Sequence, residues 1–119
     1  MAKKIPLTEV DISKGIQVGG FCFQVKKSDR KDKELLLRNH SGECDYVDKC
    51  ISLYQDMDDI DTSEVFLHET IHAIDLIYND HRLSEEMVGH LGYGLHQVME
   101  SLGIRFVCNG KGRVANERL

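Results

Sequence analysis

"VFLHETIHAIDLIY", residues 65–78, decides how the rest of the chain is read. It sets His68 and His72 four residues apart, with Glu69 directly after the first. Val65, Phe66, Leu67, Ile71, Ala73, Ile74, Leu76 and Ile77 make the stretch apolar almost all round, the pattern of a helix at the centre of a fold. Polar groups buried on such a helix must be satisfied. Either the histidines are hydrogen-bonded inside the core or they share a metal ion, and the spacing favours the ion. Residues four apart lie on one helix face with Cβ atoms about 5–6 Å apart. Both imidazoles can then reach one ion at roughly 2.0–2.1 Å. Glu69 points about 100° further round. It can lean over an open metal position and take a proton from a bound water. His-Glu-x-x-His on a helix is the motif of that chemistry. Six histidines in 119 residues leave room for a chance match, and the apolar helical setting narrows it.

The flanking sequence supplies the helix with a start and a partner. Before it, "MDDIDTSE" offers Asp61 or Thr62 as N-cap, and Asp61 with Glu64 resembles a capping box. The helix is expected over about 62–78. Residues 79–82, "NDHR", connect to a second helix that Ser84 caps and that runs to about Leu102, where Gly103 stops it. Upstream, residues 5–12 read as a first strand or extended arm. Residues 16–25 alternate as a strand, with a bulge or tight turn at Gly19–Gly20. The charged residues 27–33 read as a loop, and "ELLLR", 34–38, fits a strand or a helical turn. Residues 44–47 and 50–54 read as a hairpin, and 104–108 as a last strand. Strands first and helices after them make an α+β pattern. One domain is expected over 1–108, with 109–119 a polar, glycine-containing tail.

Composition removes several function classes. A net charge of −5 gives no basic footprint for nucleic acid. The clusters Lys26–Lys27 and Arg30–Lys31 are interleaved with Asp29 and Asp32, as in a solvated loop. No apolar run approaches the roughly 20 residues of a membrane span, and MAKKIPLTEV lacks the apolar segment of a signal peptide. A cytoplasmic protein is expected. Cys22, Cys44, Cys50 and Cys108 form no Cys-x-x-Cys pair and are expected to remain thiols. His40, Cys44 and Cys50 are spaced too widely for a typical structural zinc.

A catalytic metal takes three protein ligands and a water, so the third ligand lies elsewhere. In a metzincin a histidine would stand six residues after His72 and a glycine three after it. Tyr78 and Asp75 occupy those positions and exclude that subclass. Asp75, His81, Glu85, Glu86, His90 and His96 remain. On the second helix, Met87, Val88, Leu91, Leu95, Val98, Met99 and Leu102 form an apolar stripe. Glu86 and His90 point nearly opposite it. Glu85 lies on its flank, in line with Val88, Gly92 and His96, and Gly89 and Gly92 would let another helix come close. Glu85 is therefore assigned as third ligand, with Glu86 or His81 the alternatives. Asp75 suits an acceptor that orients an imidazole N–H. His96 stands about 16 Å along the helix from Glu85, too far to share the ion. Tyr54, Tyr93, His81 and His96 are the candidates to stabilise an oxyanion, and the sequence does not choose among them.

At "HETIHAIDLIYNDHRLSEEMVGHLGYGLHQVMESLG" the chain resembles the small zincin metallopeptidases of phages and mobile elements, related to the ImmA/IrrE and SprT-like families. The likeness covers residues 61–102, and 42–60 in outline. It implies a minimal zincin fold, a small twisted sheet packed on the metal-bearing helix. It implies zinc at His68 and His72, Glu69 as general base, and a glutamate opening a later helix as third ligand. Glu85, with Val88 and Leu91 after it, fits that frame, although it follows His72 more closely than in many relatives. It also implies an edge strand that binds an extended substrate, for which the 43–54 hairpin is the candidate. The substrate would be a protein or peptide, and the resemblance suggests a regulator such as a repressor. A non-catalytic zinc-binding regulatory module is the alternative, since so small a domain has little with which to build a deep specificity pocket. Oligomeric state is not legible.

Overall fold

The structure is a computed structural model that describes residues 5–28 and 41–109. The charged stretch from 29, the run 34–38, His40 and the tail from 110 lie outside the described residues. Among the described residues six strands and two helices follow in order: β1 (Thr8–Asp11), β2 (Ile16–Val18), β3 (Phe21–Ser28), β4 (Gly42–Asp45), β5 (Cys50–Tyr54), α1 (Asp59–Tyr78), α2 (Glu85–Ser101) and β6 (Ile104–Val107). This is the α+β arrangement expected.

One sheet has the order β2-β3-β5-β4; β3 and β5 run parallel and the other pairs antiparallel. A second, two-stranded sheet joins β1 and β6 in parallel. Alternation decides which faces are buried: Phe23 and Val25 of β3 and Ile51 and Leu53 of β5 point into the core. Phe66, Leu67 and Ala73 of α1 pack against them. The turn expected at Gly19–Gly20 joins β2 to β3. The loop expected from residue 27 does not begin there, because β3 continues through Lys26, Lys27 and Ser28. These residues pair with Ser52, Leu53 and Tyr54, and backbone pairing carries the strand past its charged side chains.

Helix α1 also starts earlier than expected. Asp58, not Asp61 or Thr62, is the N-cap, and its Oδ1 accepts from the Asp61 N–H at 2.8 Å. The reason is tertiary. Thr62 and Ser63 are fully buried within the first turns, where the Ser63 hydroxyl accepts from the Phe106 N–H and ties α1 to β6.

Helix α2 begins at the Ser84 cap, as expected, but packs on a different face. Val88 and Gly92 are its buried residues. Of the expected core stripe, Val88 is buried and Met99 packs partly buried against the core, whereas Met87, Leu91, Leu95, Val98 and Leu102 stay 37–59% exposed. The helix is rotated so that the Glu85–Val88–Gly92 flank meets α1, because the glycine admits a closer approach than the bulky stripe would. Arg105 grips Glu100 with two nitrogens, at 2.8 and 2.9 Å, and holds the end of α2 on β6.

Gly103 ends α2 at φ +79, a conformation that favours glycine, and a Cβ there would lie 2.5 Å from the Pro6 carbonyl oxygen. Gly103→Ala is therefore expected to destabilise the fold by roughly 1–3 kcal/mol, read as a lower urea midpoint at unchanged m-value.

Candidate metal centre

The i, i+4 spacing on α1 turns His68 and His72 to one side, their rings 5.0 Å apart and inclined at 67°. The first turn of α2 delivers Glu85 opposite them. His68 Nε2 lies 2.9 Å from one carboxylate oxygen of Glu85 and His72 Nε2 lies 2.9 Å from the other. Three ligand atoms thus come within 4.8 Å of one another. Bonds of about 2.0–2.1 Å in a tetrahedron would set such atoms roughly 3.3 Å apart, which lies between the 2.9 Å contacts and the 4.8 Å limit of the trio. Two imidazole nitrogens and a carboxylate oxygen are the donor set of catalytic zinc sites that keep one position open. The histidine side chains are 23% and 16% exposed and Glu85 72%, so the carboxylate closes the trio from the solvent side.

Glu85 reaches this place because its helix comes close and its connection is tied. A Cβ on Gly92 would touch the His68 backbone at 3.4 Å, so the helices meet nearly backbone to backbone. Asp75, buried one turn beyond His72, gathers the connection around its carboxylate. It accepts from Asn79 Nδ2 at 2.9 Å and from the N–H groups of Arg82 and Leu83 at 3.1 and 3.2 Å. Burial pushes its pKa up, but these hydrogen bonds and nearby His81 outweigh it and hold the carboxyl below its ordinary value. The expectation that Asp75 orients a ligand imidazole is thus corrected. The imidazole beside it belongs to His81, at 3.6 Å, while His72 Nδ1 is buried without a hydrogen-bond partner among the described residues. Asp75 serves the connection and its His81, not the two histidines of the trio. Burial, with His68 beside it, holds the His72 pKa below its ordinary value, although Glu85 pulls the other way.

The trio opens on a cleft of about 490 Å³ between α1 and β4. Gly42 lets β4 lie against the helix: a Cβ there would stand 2.6 Å from Val65 and 3.3 Å from the Glu69 side chain. Glu69 lines the cleft and is buried, and its pKa is pushed up to about 8, first by burial and then by the Glu85 and Glu43 carboxylates. The thiol of Cys44 is raised to about 12 by burial and then by Glu69. All four cysteines are free thiols, as expected.

The alternatives separate cleanly. Glu86 and His90 are exposed and stand outside the trio, and so does His81. Of the oxyanion candidates, Tyr93 lines the cleft and Tyr54 and His96 do not. Tyr46 lines it too and was missed. It stands in the turn of the hairpin, and nothing in its spacing relates it to His68. Its phenol is raised to about 12, by burial first and then by Cys44, Glu69, Asp75 and Glu85, so it stays protonated at neutral pH. Among the described residues no helix is long and apolar enough to cross a membrane. The chain matches no protein-family model, no curated protein and no solved structure.

Because folding raises the Glu69 pKa from 4.5 to about 8, it favours the protonated carboxyl in the metal-free protein. That contribution is complete below pH 4.5 and is lost as the pH climbs to about 8. Metal-free Glu69→Gln lacks it, and its stability should gain on wild type by roughly 3–5 kcal/mol across that window. Urea midpoints measured against pH check this, and parallel profiles would contradict it.

Proposed function

We propose that this protein is a zinc-dependent endopeptidase of minimal zincin-like fold, acting on a protein or peptide chain. The observation that carries the reading is the convergence of both histidine Nε2 atoms on the two oxygens of Glu85, with a buried glutamate in the same cleft. The likeness of residues 61–102 to the ImmA/IrrE and SprT-like peptidases supports it. That likeness also suggests a regulatory protein of a mobile element as substrate.

His68, His72 and Glu85 would hold the ion. When bound, zinc supplies Lewis acidity at the scissile carbonyl and a more acidic water. Glu69 is the general base. A cation beside it favours its ionised form over the neutral one that burial imposes. It then accepts the proton of the attacking water and passes it to the leaving amine. β4 is the edge strand beside the cleft. Among the described residues no strand pairs with its outer edge, and an extended substrate can add there, its carbonyl thereby laid along the helix.

His68→Ala and Glu85→Ala should each lower zinc affinity by at least tenfold in a chelator competition. Glu69→Gln should keep one zinc per chain and lose cleavage by roughly 10²–10⁴-fold, scored on a proteome-derived peptide library. Full cleavage by Glu69→Gln would overturn the mechanism. One tightly held zinc in a wild-type protein that cuts nothing would point to a metal-binding regulatory module instead.

A further inference from the structure

Two loops with independently fixed backbones meet at the rim of the cleft. One is the turn between β4 and β5. Asp45 Oδ1 accepts from the N–H groups of Val47 and Asp48, each at 3.0 Å. Lys49, at φ 53, closes the turn, and its Nζ donates to the Tyr46 carbonyl at 2.6 Å. The other loop is the connection from α1 to α2. Asp80 and His81 there adopt φ 53 and 56 in succession, in the left-handed region that side chains disfavour. Such strain persists where the surroundings over-determine it, and it clusters at functional sites.

Here the determinant is Asp75. Its carboxylate gathers Asn79, Arg82 and Leu83 around the left-handed pair, and its carbonyl accepts from the His81 N–H at 2.9 Å. The backbone that carries the His81 ring is thereby fixed. His81 Nδ1 lies 3.6 Å from Asp75, and the ring stands edge-on to Tyr46 with centroids 5.3 Å apart and planes at 81°. Tyr46 is thus held from its own turn and from the connection, half-buried and lining the cleft with His72, Glu69 and Glu85. Tyr93, the other tyrosine of the cleft, is 62% exposed on α2.

We propose that Tyr46 is a catalytic residue whose phenol donates a hydrogen bond to the carbonyl oxygen of the peptide under attack, with His81 and Asp75 as the positioning residues that hold it. The inference rests on the peptidase reading. A neutral donor placed before the reaction meets the charge that grows on that oxygen, and its benefit falls in kcat more than in KM.

Zinc-loaded wild type, Tyr46→Phe, His81→Ala, the double variant and Glu69→Gln are compared on a fluorogenic peptide mixture. Tyr46→Phe should lower kcat by roughly 10²–10³-fold with KM and zinc content unchanged. His81→Ala should lower kcat at least tenfold alone and add nothing to Tyr46→Phe, whereas independent structural effects would multiply. A second readout needs neither zinc nor turnover. In metal-free protein with ¹³C-labelled tyrosine, His81→Ala should displace the Tyr46 ring signals and leave those of Tyr93 in place. His81→Phe, which keeps an aromatic edge, should restore kcat. The proposal alone falls if Glu69→Gln is inert while Tyr46→Phe keeps wild-type kcat, or if the Tyr46 signals ignore His81. It falls together with the peptidase reading if Glu69→Gln matches wild type or if no variant cleaves.

Discussion

Helix α2 can bring a carboxylate to the histidines of α1 only because the two backbones nearly touch. Gly92 lies against the His68 backbone, where a methyl group would already be in contact and a larger side chain would force the helices apart. The same approach buries Val88 and aims the first turn of α2 across the His68–His72 face. A close crossing fixes distance but not register along the axis. Register is set by Asp75, whose hydrogen bonds dictate where the connection ends and therefore where Ser84 can cap. The trio thus depends on one missing side chain and one buried carboxylate, neither of which would touch the ion.

The two buried acids of α1 show how placement divides roles between like groups. Asp75 is surrounded by donors, so burial does not neutralise it and it organises the connection as an anion. Glu69 sits among other carboxylates, and burial leaves it reluctant to ionise until a cation arrives. Environments that push the pKa values of similar groups apart separate structural from reactive carboxyls. Here a single helix holds a carboxyl raised above its ordinary value and one held below it, six residues apart in sequence.

How much was legible followed from whether the cause was local. The histidine pair, the following glutamate and the α+β order rest on spacing along one chain segment, and they could be read directly. Glu85 could be reached by helical geometry, because its flank carries Val88 and Gly92. The same reasoning misjudged the packing face of α2. Hydrophobicity pointed to the Leu91–Leu95–Val98–Leu102 stripe, whereas the contact is governed by how near a glycine lets the helices come. The N-cap moved from Asp61 or Thr62 to Asp58 because Ser63 is claimed by β6, a partner 43 residues away in sequence. Tyr46 left no trace in the sequence, since its place in the cleft depends on β4 packing against α1 and on two left-handed residues in a distant connection.

The central claim is that this cleft holds one zinc through two imidazoles and a carboxylate. X-ray absorption at the zinc edge of the loaded protein tests it most directly. The account predicts one zinc per chain with a first shell of nitrogen and oxygen near 2.0–2.1 Å, outer-shell scattering from two imidazoles, and no sulfur. A sulfur shell near 2.3 Å would move the ion to the cysteines. That result, or zinc lost on simple gel filtration, would contradict the account.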